Sequence, residues 1–248
     1  MVIGTFFDMS SIYDADESRR RFLLYLLSTG ALSTITACGS SGQAASAMPE
    51  ELSAGRSIFK FSGDVRVNGQ QVTLETLIRA GDVIETFDKS FIIFVLNKDS
   101  FILRSNSKMS LPVAVAAVVP TVLSLDRGKV LTVLASRTTR IKTPSAIIGI
   151  RGTGVYLEAE PELSYVCTCY GLADLATTDD PDINETILSE HHTSPRYILA
   201  DKSSAKRIQP APFKNHDDQE LLLIETLVGR TTPYVVPKGI TRTRSRYF

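Results

Sequence analysis

The chain has 248 residues with 27 basic and 27 acidic side chains, so no net field favours nucleic acid or an anionic membrane surface. Three cysteines exclude a disulfide framework, and a chain of this length suits one domain with a real core once a leader is set aside. The leader is the first element. Arg19, Arg20 and Arg21 precede an uncharged run over residues 22–37, which is shorter than the ~20 residues that span a bilayer as a helix. A basic start, a short apolar run and small residues at its end predict a signal peptide over 1–37.

Two motifs sharpen this. "SRRRFL" is similar to a twin-arginine export signal, with Arg19 and Arg20 as the pair and Phe22 and Leu23 following. "ITAC" (35–38) resembles a lipobox, which makes Cys38 the lipidated residue. An uncleaved anchor is the alternative. Gly39 after the cysteine favours the outer membrane over the inner one. Residues 38–56, rich in Ser, Gly and Ala, suit a flexible tether from lipid to folded domain. The expected location is the periplasm, with the membrane reached through lipid.

From residue 57 the pattern is short apolar alternation broken by turn residues. Phe59, Phe61, Val65 and Val67 alternate up to an Asn68-Gly69 hairpin signal. Residues 80–111 predict three or four strands, with turns at "DK" and "NKDS". "TVLSLDRGKVLTVLAS" predicts a strand, an Arg127-Gly128 turn and a second strand. The run 113–120 fits a strand or a short helix. "RTTRIKTPSAIIGI" and "GTGVYLEAEPELSYVCTCYG" continue the strands. One helix is predicted at about 217–229: Asp217 and Glu220 form a capping box, Leu221, Ile224, Leu227 and Val228 form a stripe, and Gly229 stops it. The fold class is mainly β, with a β domain over 57–200 and a C-terminal extension over 201–248.

"GIRGTG" (149–154) is not a dinucleotide loop. Its spacing is G-x-x-G-x-G, and a strand rather than a helix follows. Its glycines serve a positive φ or a close backbone approach. The segment "IKTPSAIIGIRGTGVYLEAE", with Thr143, Pro144, Gly149, Arg151, Gly152, Thr153 and Gly154, resembles the signature of the FecR domain family. "GDVRVNGQ", "IRAGDVIET", "SFIIFVLNKDSFILR" and "LDRGKVL" match that family's steps in order. The resemblance implies a compact periplasmic all-β domain of roll or β-solenoid character. The family's best-known members relay receptor occupancy to an iron-uptake sigma factor through a cytoplasmic region. With eighteen residues before Arg19, no direct sigma-factor contact is expected here, and any role in iron-uptake signalling is indirect.

Two functions follow. The first is a non-enzymatic, lipid-anchored binding, sensory or scaffolding module for an envelope protein or glycan; no hydrolase, zincin or P-loop motif is present. The second is a metal-binding or redox protein. Cys167 and Cys169 share a strand face about 6.6 Å apart at Cα, at the upper edge of disulfide reach. They act as inert core, as a strained redox pair, or as ligands to Zn or Cu. The metal set would be Cys167, Cys169, one of His191 and His192, which point to opposite faces of a strand, and His216. The acidic run 176–185 offers oxygen ligands for calcium but lacks the EF-hand glycine, so a solvated loop is expected.

Overall fold

The computed structural model describes residues 50–112, 121–135 and 138–235. The leader with Arg19, Arg20, Phe22, Leu23 and Cys38, most of the tether, the run 113–120 and the basic C-terminal tail lie outside the described residues. Among the described residues no helix is long and apolar enough to cross a membrane.

The fold is mainly β with one short helix. The strands are β1 (Ile58–Ser62), β2 (Val65–Val67), β3 (Gln70–Gln71), β4 (Val83–Thr86), β5 (Phe91–Leu96), β6 (Asp99–Leu103) and β7 (Lys108–Ser110). They continue with β8 (Thr121–Val133), β9 (Thr138–Lys142), β10 (Ala146–Ala159), β11 (Leu163–Thr177), β12 (Asn184–Ser189), β13 (Arg196–Leu199) and β14 (Ile208–Pro210). The helix α1 is Asp218–Thr226. Turns fall at Asn68-Gly69, Asp88-Lys89 and Asn97-Lys98, where Asn68, Lys89 and Asn97 take positive φ.

One hydrogen-bonded sheet divides into two layers because three long strands serve both. The first layer runs β3–β2–β4–β7, then the N-terminal half of β8, β9 parallel to it, the first half of β10, the second half of β11, and β12. The second runs β1–β5–β6, the C-terminal half of β8, the second half of β10, the first half of β11, β13 and β14. Each long strand crosses at a glycine of positive φ: Gly128 (+91°), Gly152 (+58°) and Gly171 (+88°). Bulges and bends are how strands change layer.

These crossings correct the turn expected at Arg127-Gly128. The chain bulges there, with Asp126 extra opposite Lys108 and Met109, and the strand goes on. A Cβ on Gly128 would lie 2.5 Å from the Ser107 Cα, so space as well as φ requires glycine. The R-G-T element is the matching corner of β10, where Gly152 and Thr153 are extra opposite Gly171. The Thr143-Pro144 turn is fastened from below: Thr143 Oγ1 and Ser145 Oγ each meet Ser164 Oγ at 2.7 Å, all buried.

The main core draws on both layers, Ile84, Met109, Leu125 and Ile148 from the first, Phe94, Phe101, Val130 and Leu157 from the second. The cross-strand pair Phe94 and Phe101 stacks at 4.7 Å. Along β5, β6, β8 and β10 the alternate residues Ile93, Ile102, Leu131 and Tyr156 are also buried, but on the second layer's other face. The C-terminal segment covers them. α1 packs on β6 and β8 and buries Leu221, Leu223 and Ile224, each such burial worth roughly 1.5–3 kcal/mol. Its capping box is formed as expected, but the helix ends at Thr226, and Leu227–Gly229 make a turn that closes at Gly229 (φ +71°). β14 pairs with β13, so the sheet itself runs past residue 200.

Candidate metal centre

The centre forms between the second layer and the C-terminal segment, from three pieces of chain. β11 supplies Cys167 and Cys169, both fully buried and unbridged. The strand is not regular there. Tyr170 pairs with Gly154 and Thr168 with Val155, which leaves Cys169 as an extra, bulged residue. The second piece is the β12–β13 loop. His192, at φ +50°, donates its backbone N–H to the Cys169 carbonyl at 2.7 Å, and Thr193 is tied to Ser189 Oγ at 2.9 Å. The third is the approach to α1. Asn215 (φ +61°) donates its side-chain amide to Glu158 at 2.7 Å, and its carbonyl accepts from Arg104 at 2.9 Å. This places His216, fully buried, flat on the Tyr156 ring at 4.6 Å.

The ligand atoms of Cys167, Cys169, His192 and His216 all lie within 4.8 Å of one another. His216 Nε2 is 3.1 Å from His192 Nδ1, and Cys167 Sγ is 3.8 Å from the same Nδ1. A tetrahedral zinc site with ordinary bond lengths has edges of ~3.3 Å for N–N, ~3.6 Å for S–N and ~3.8 Å for S–S. The N–N separation and the Cys167–His192 separation match their edges within a few tenths of an ångström.

The protons make the case stronger. His216 Nδ1–H donates to the Lys214 carbonyl at 2.8 Å, and His192 Nε2–H donates to Asp218 Oδ1 at 2.9 Å. Each ring thus spends one N–H outward and turns its other nitrogen inward, toward the other ring and toward sulfur. Outward hydrogen bonds to a carbonyl and a carboxylate are the usual orienting contacts of metal-bound histidines.

Without a metal, charge settles unevenly. The Cys169 thiol bonding toward it, with His192 and His216 adding, holds Cys167 down at about 3. Burial pushes the Cys169 thiol up, and the Cys167 charge adds to this. Burial opposes a charge on His192, but Asp218 and Cys167 outweigh it and raise the ring to about 9. In the metal-free centre these directions favour charge on Cys167 and His192 over charge on Cys169.

His191 departs from its expected place. Residues 190–192 form a bend, not a strand, and the positive φ of His192 brings both rings to one carboxylate oxygen: His191 Nε2 and His192 Nε2 each lie 2.9 Å from Asp218 Oδ1. Asp218 was not legible as part of the site, although the run "NHDDQE" sets acids directly beside His216. Tyr156, Phe213 (4.6 Å from His216) and Tyr234 (4.5 Å from His191) are further ring contacts that sequence spacing does not connect. The acidic run at 176–185 is occupied otherwise: Asp179 pairs with Arg207 at 2.8 Å and Lys202 at 3.1 Å.

The GIRGTG glycines divide by cause. Gly152 needs its positive φ, whereas Gly154 needs space, since a Cβ there would lie 2.5 Å from the Tyr170 ring.

No family model matches the chain, and no curated protein matches it in sequence. Among solved structures it is similar to two crystal structures, at 2.50 and 1.65 Å resolution, of a "putative anti-sigma factor" from Parabacteroides distasonis ATCC 8503. Identity is 14% in both, with TM-scores of 0.43 and 0.44. The match covers 56% of this chain and spans 62% of that protein's length.

Proposed function

We propose that this chain is a lipid-anchored envelope protein whose β domain holds one zinc ion in a closed centre of Cys167, Cys169, His192 and His216. The observation that carries this is the pair of imidazole nitrogens 3.1 Å apart, each with its N–H committed elsewhere. The two inward nitrogens, beside a sulfur, share one cation between them: a proton in the metal-free chain, and a metal ion in the state proposed here. Zn²⁺ with two thiolates and two neutral imidazoles is neutral overall, whereas Cu⁺ leaves a net negative charge in a fully buried site, which is costly. The metal would deprotonate Cys169 outright.

Four protein ligands leave no open position, so the role is structural or sensory, not catalytic. Cys167, His192 and Asp218 do stand in the order of a nucleophile, base and orienting acid. Cys167 is fully buried, however, which favours ligation over nucleophilic attack. The zinc would fix the β12–β13 loop and the start of α1 to β11, shaping the face that meets an envelope protein or glycan. The export signal, lipidation at Cys38 and the periplasmic, outer-membrane location belong to this proposal on the strength of "SRRRFL", "ITAC" and Gly39.

The test is zinc and copper content of the full chain purified without chelator, against Cys167→Ser/Cys169→Ser. We expect one zinc per chain in the first and loss of thiolate-bound metal in the second. Free titration of both Cys167 and Cys169 after equilibration with zinc, measured against the double variant, would overturn the proposal.

A further inference from the structure

Three ligating groups stand between the buried centre and solvent. His191 Nε2, His192 Nε2 and Asp218 Oδ1 lie within 4.8 Å of one another, and both nitrogens are 2.9 Å from the oxygen. Side-chain exposure falls inward: 53% for His191, 27% for Asp218, 10% for His192, with His216 and both cysteines at zero. His192 is common to both sets. Its Nε2 faces the outer one and its Nδ1 the inner one.

We propose that His191, Asp218 and the Nε2 of His192 form an outer capture station for a divalent transition ion, which then passes to the inner centre through the same His192 ring. This rests on the zinc centre proposed above. The outer set is two nitrogens and one oxygen, with room for water on its exposed side, which suits an incoming hydrated ion. The inner set has thiolates and four ligands, so it holds the ion more tightly but offers no direct approach.

A neutral imidazole binds metal through one nitrogen while the other keeps its proton. The two stations are therefore alternatives. With the ion outside, Nδ1 carries the proton and points at Cys167 Sγ, 3.8 Å away. When the ion moves inward the Nδ1 proton leaves to solvent, Nε2 takes up a proton from solvent and keeps it in a hydrogen bond to Asp218, and any remaining thiol proton is released to solvent. No oxidation change occurs. Tyr234, 4.5 Å from the His191 ring, steadies the outer ligand.

The experiment is rapid mixing of Co²⁺ with the metal-stripped full chain, read by thiolate-to-cobalt charge-transfer absorption. We expect that band to grow after a faster phase that lacks it. His191→Ala should reach the same final band and one-to-one stoichiometry, but about ten-fold more slowly. Cys167→Ser/Cys169→Ser should bind one Co²⁺ weakly with no charge-transfer band, and adding His191→Ala should abolish that binding. An unchanged rate in His191→Ala, or no cobalt bound by the Cys167→Ser/Cys169→Ser variant, overturns the outer station. A wild type that never develops the charge-transfer band instead overturns the inner centre, and the Cys167→Ser/Cys169→Ser variant then judges the outer one alone.

Discussion

Three glycines of one six-residue motif should respond to alanine in a fixed order, because each is glycine for a different reason. A Cβ on Gly154 would lie 2.5 Å from Tyr170 Cε1, 2.9 Å from Cζ and 3.1 Å from Leu221 Cδ2. The ring cannot slide away, since its hydroxyl bonds the buried Glu225 carboxylate, itself paired with Arg230 at 2.6 Å. Overpacking of this kind costs about 1–3 kcal/mol, and with the ring held we expect the upper part, about 2–3 kcal/mol. For a domain of this size that lowers Tm by about 5–10 °C. Gly152 has φ +58°, so alanine there costs about 1–2 kcal/mol. Gly149 has ordinary contacts, the nearest 3.5 Å away at Asp174 Cβ, so its alanine should melt within about 0.5 kcal/mol of the wild type. The assay is thermal and urea unfolding with chelator present throughout. In the double variant Gly154→Ala/Tyr170→Leu the clash with the ring is gone, and the stability loss should be smaller than the sum of the two single losses by about 1 kcal/mol or more. A Gly154→Ala protein as stable as Gly149→Ala would refute the packing account.

Removing Glu220 should also be severe. Its carboxylate is 2.9 Å from Arg104, with side-chain exposures of 1% and 16%, so Glu220→Ala strands a buried guanidinium and costs about 3–5 kcal/mol by urea titration; under 1 kcal/mol would count against it. For Glu158, burial opposes the carboxylate, yet Lys214 and Lys129 hold its pKa below the ordinary 4.5. A folded value below the unfolded one means its stabilisation is complete above the unfolded pKa and is lost as pH falls through the folded one. Glu158→Gln should therefore show a shallower loss of stability than wild type below about pH 4.5, and parallel acid limbs would contradict this. In cells, Lys at Arg19 and Arg20 should leave precursor in the cytoplasm, and Cys38→Ser should abolish lipid labelling; normal export and labelling in both would refute the leader assignment.

Much of the fold is local chemistry and was legible: period-two alternation gave the strands, Asn-Gly the hairpin, and Asp217 with Glu220 the helix start. Cys167, Cys169 and His216 could be grouped because so few soft ligands exist in the chain. The geometry that unites them was not visible. A bulge at Cys169 breaks the period-two rule, and a positive φ at His192 is a tertiary choice, stabilised by the hydrogen bond to the Cys169 carbonyl. Gly128 misled for a related reason. Turn residues mark a change of direction, and nothing in "DRGK" distinguishes a reversal from a corner in a continuing strand.

The three corner glycines bear on how the domain comes apart. β8, β10 and β11 each place one half in either layer, so neither layer has a hydrogen-bonded frame of its own once the other is lost. Amide protons on Leu123 in the first layer and Val166 in the second should exchange through the same global opening. Cutting the chain between the layers is not possible at any single peptide bond, because the chain passes from one to the other at Gly128, Gly152 and Gly171 in turn. Co-expressed fragments would therefore have to interlace before either is stable, which makes this domain a poor candidate for splitting and for circular permutation within β8–β11.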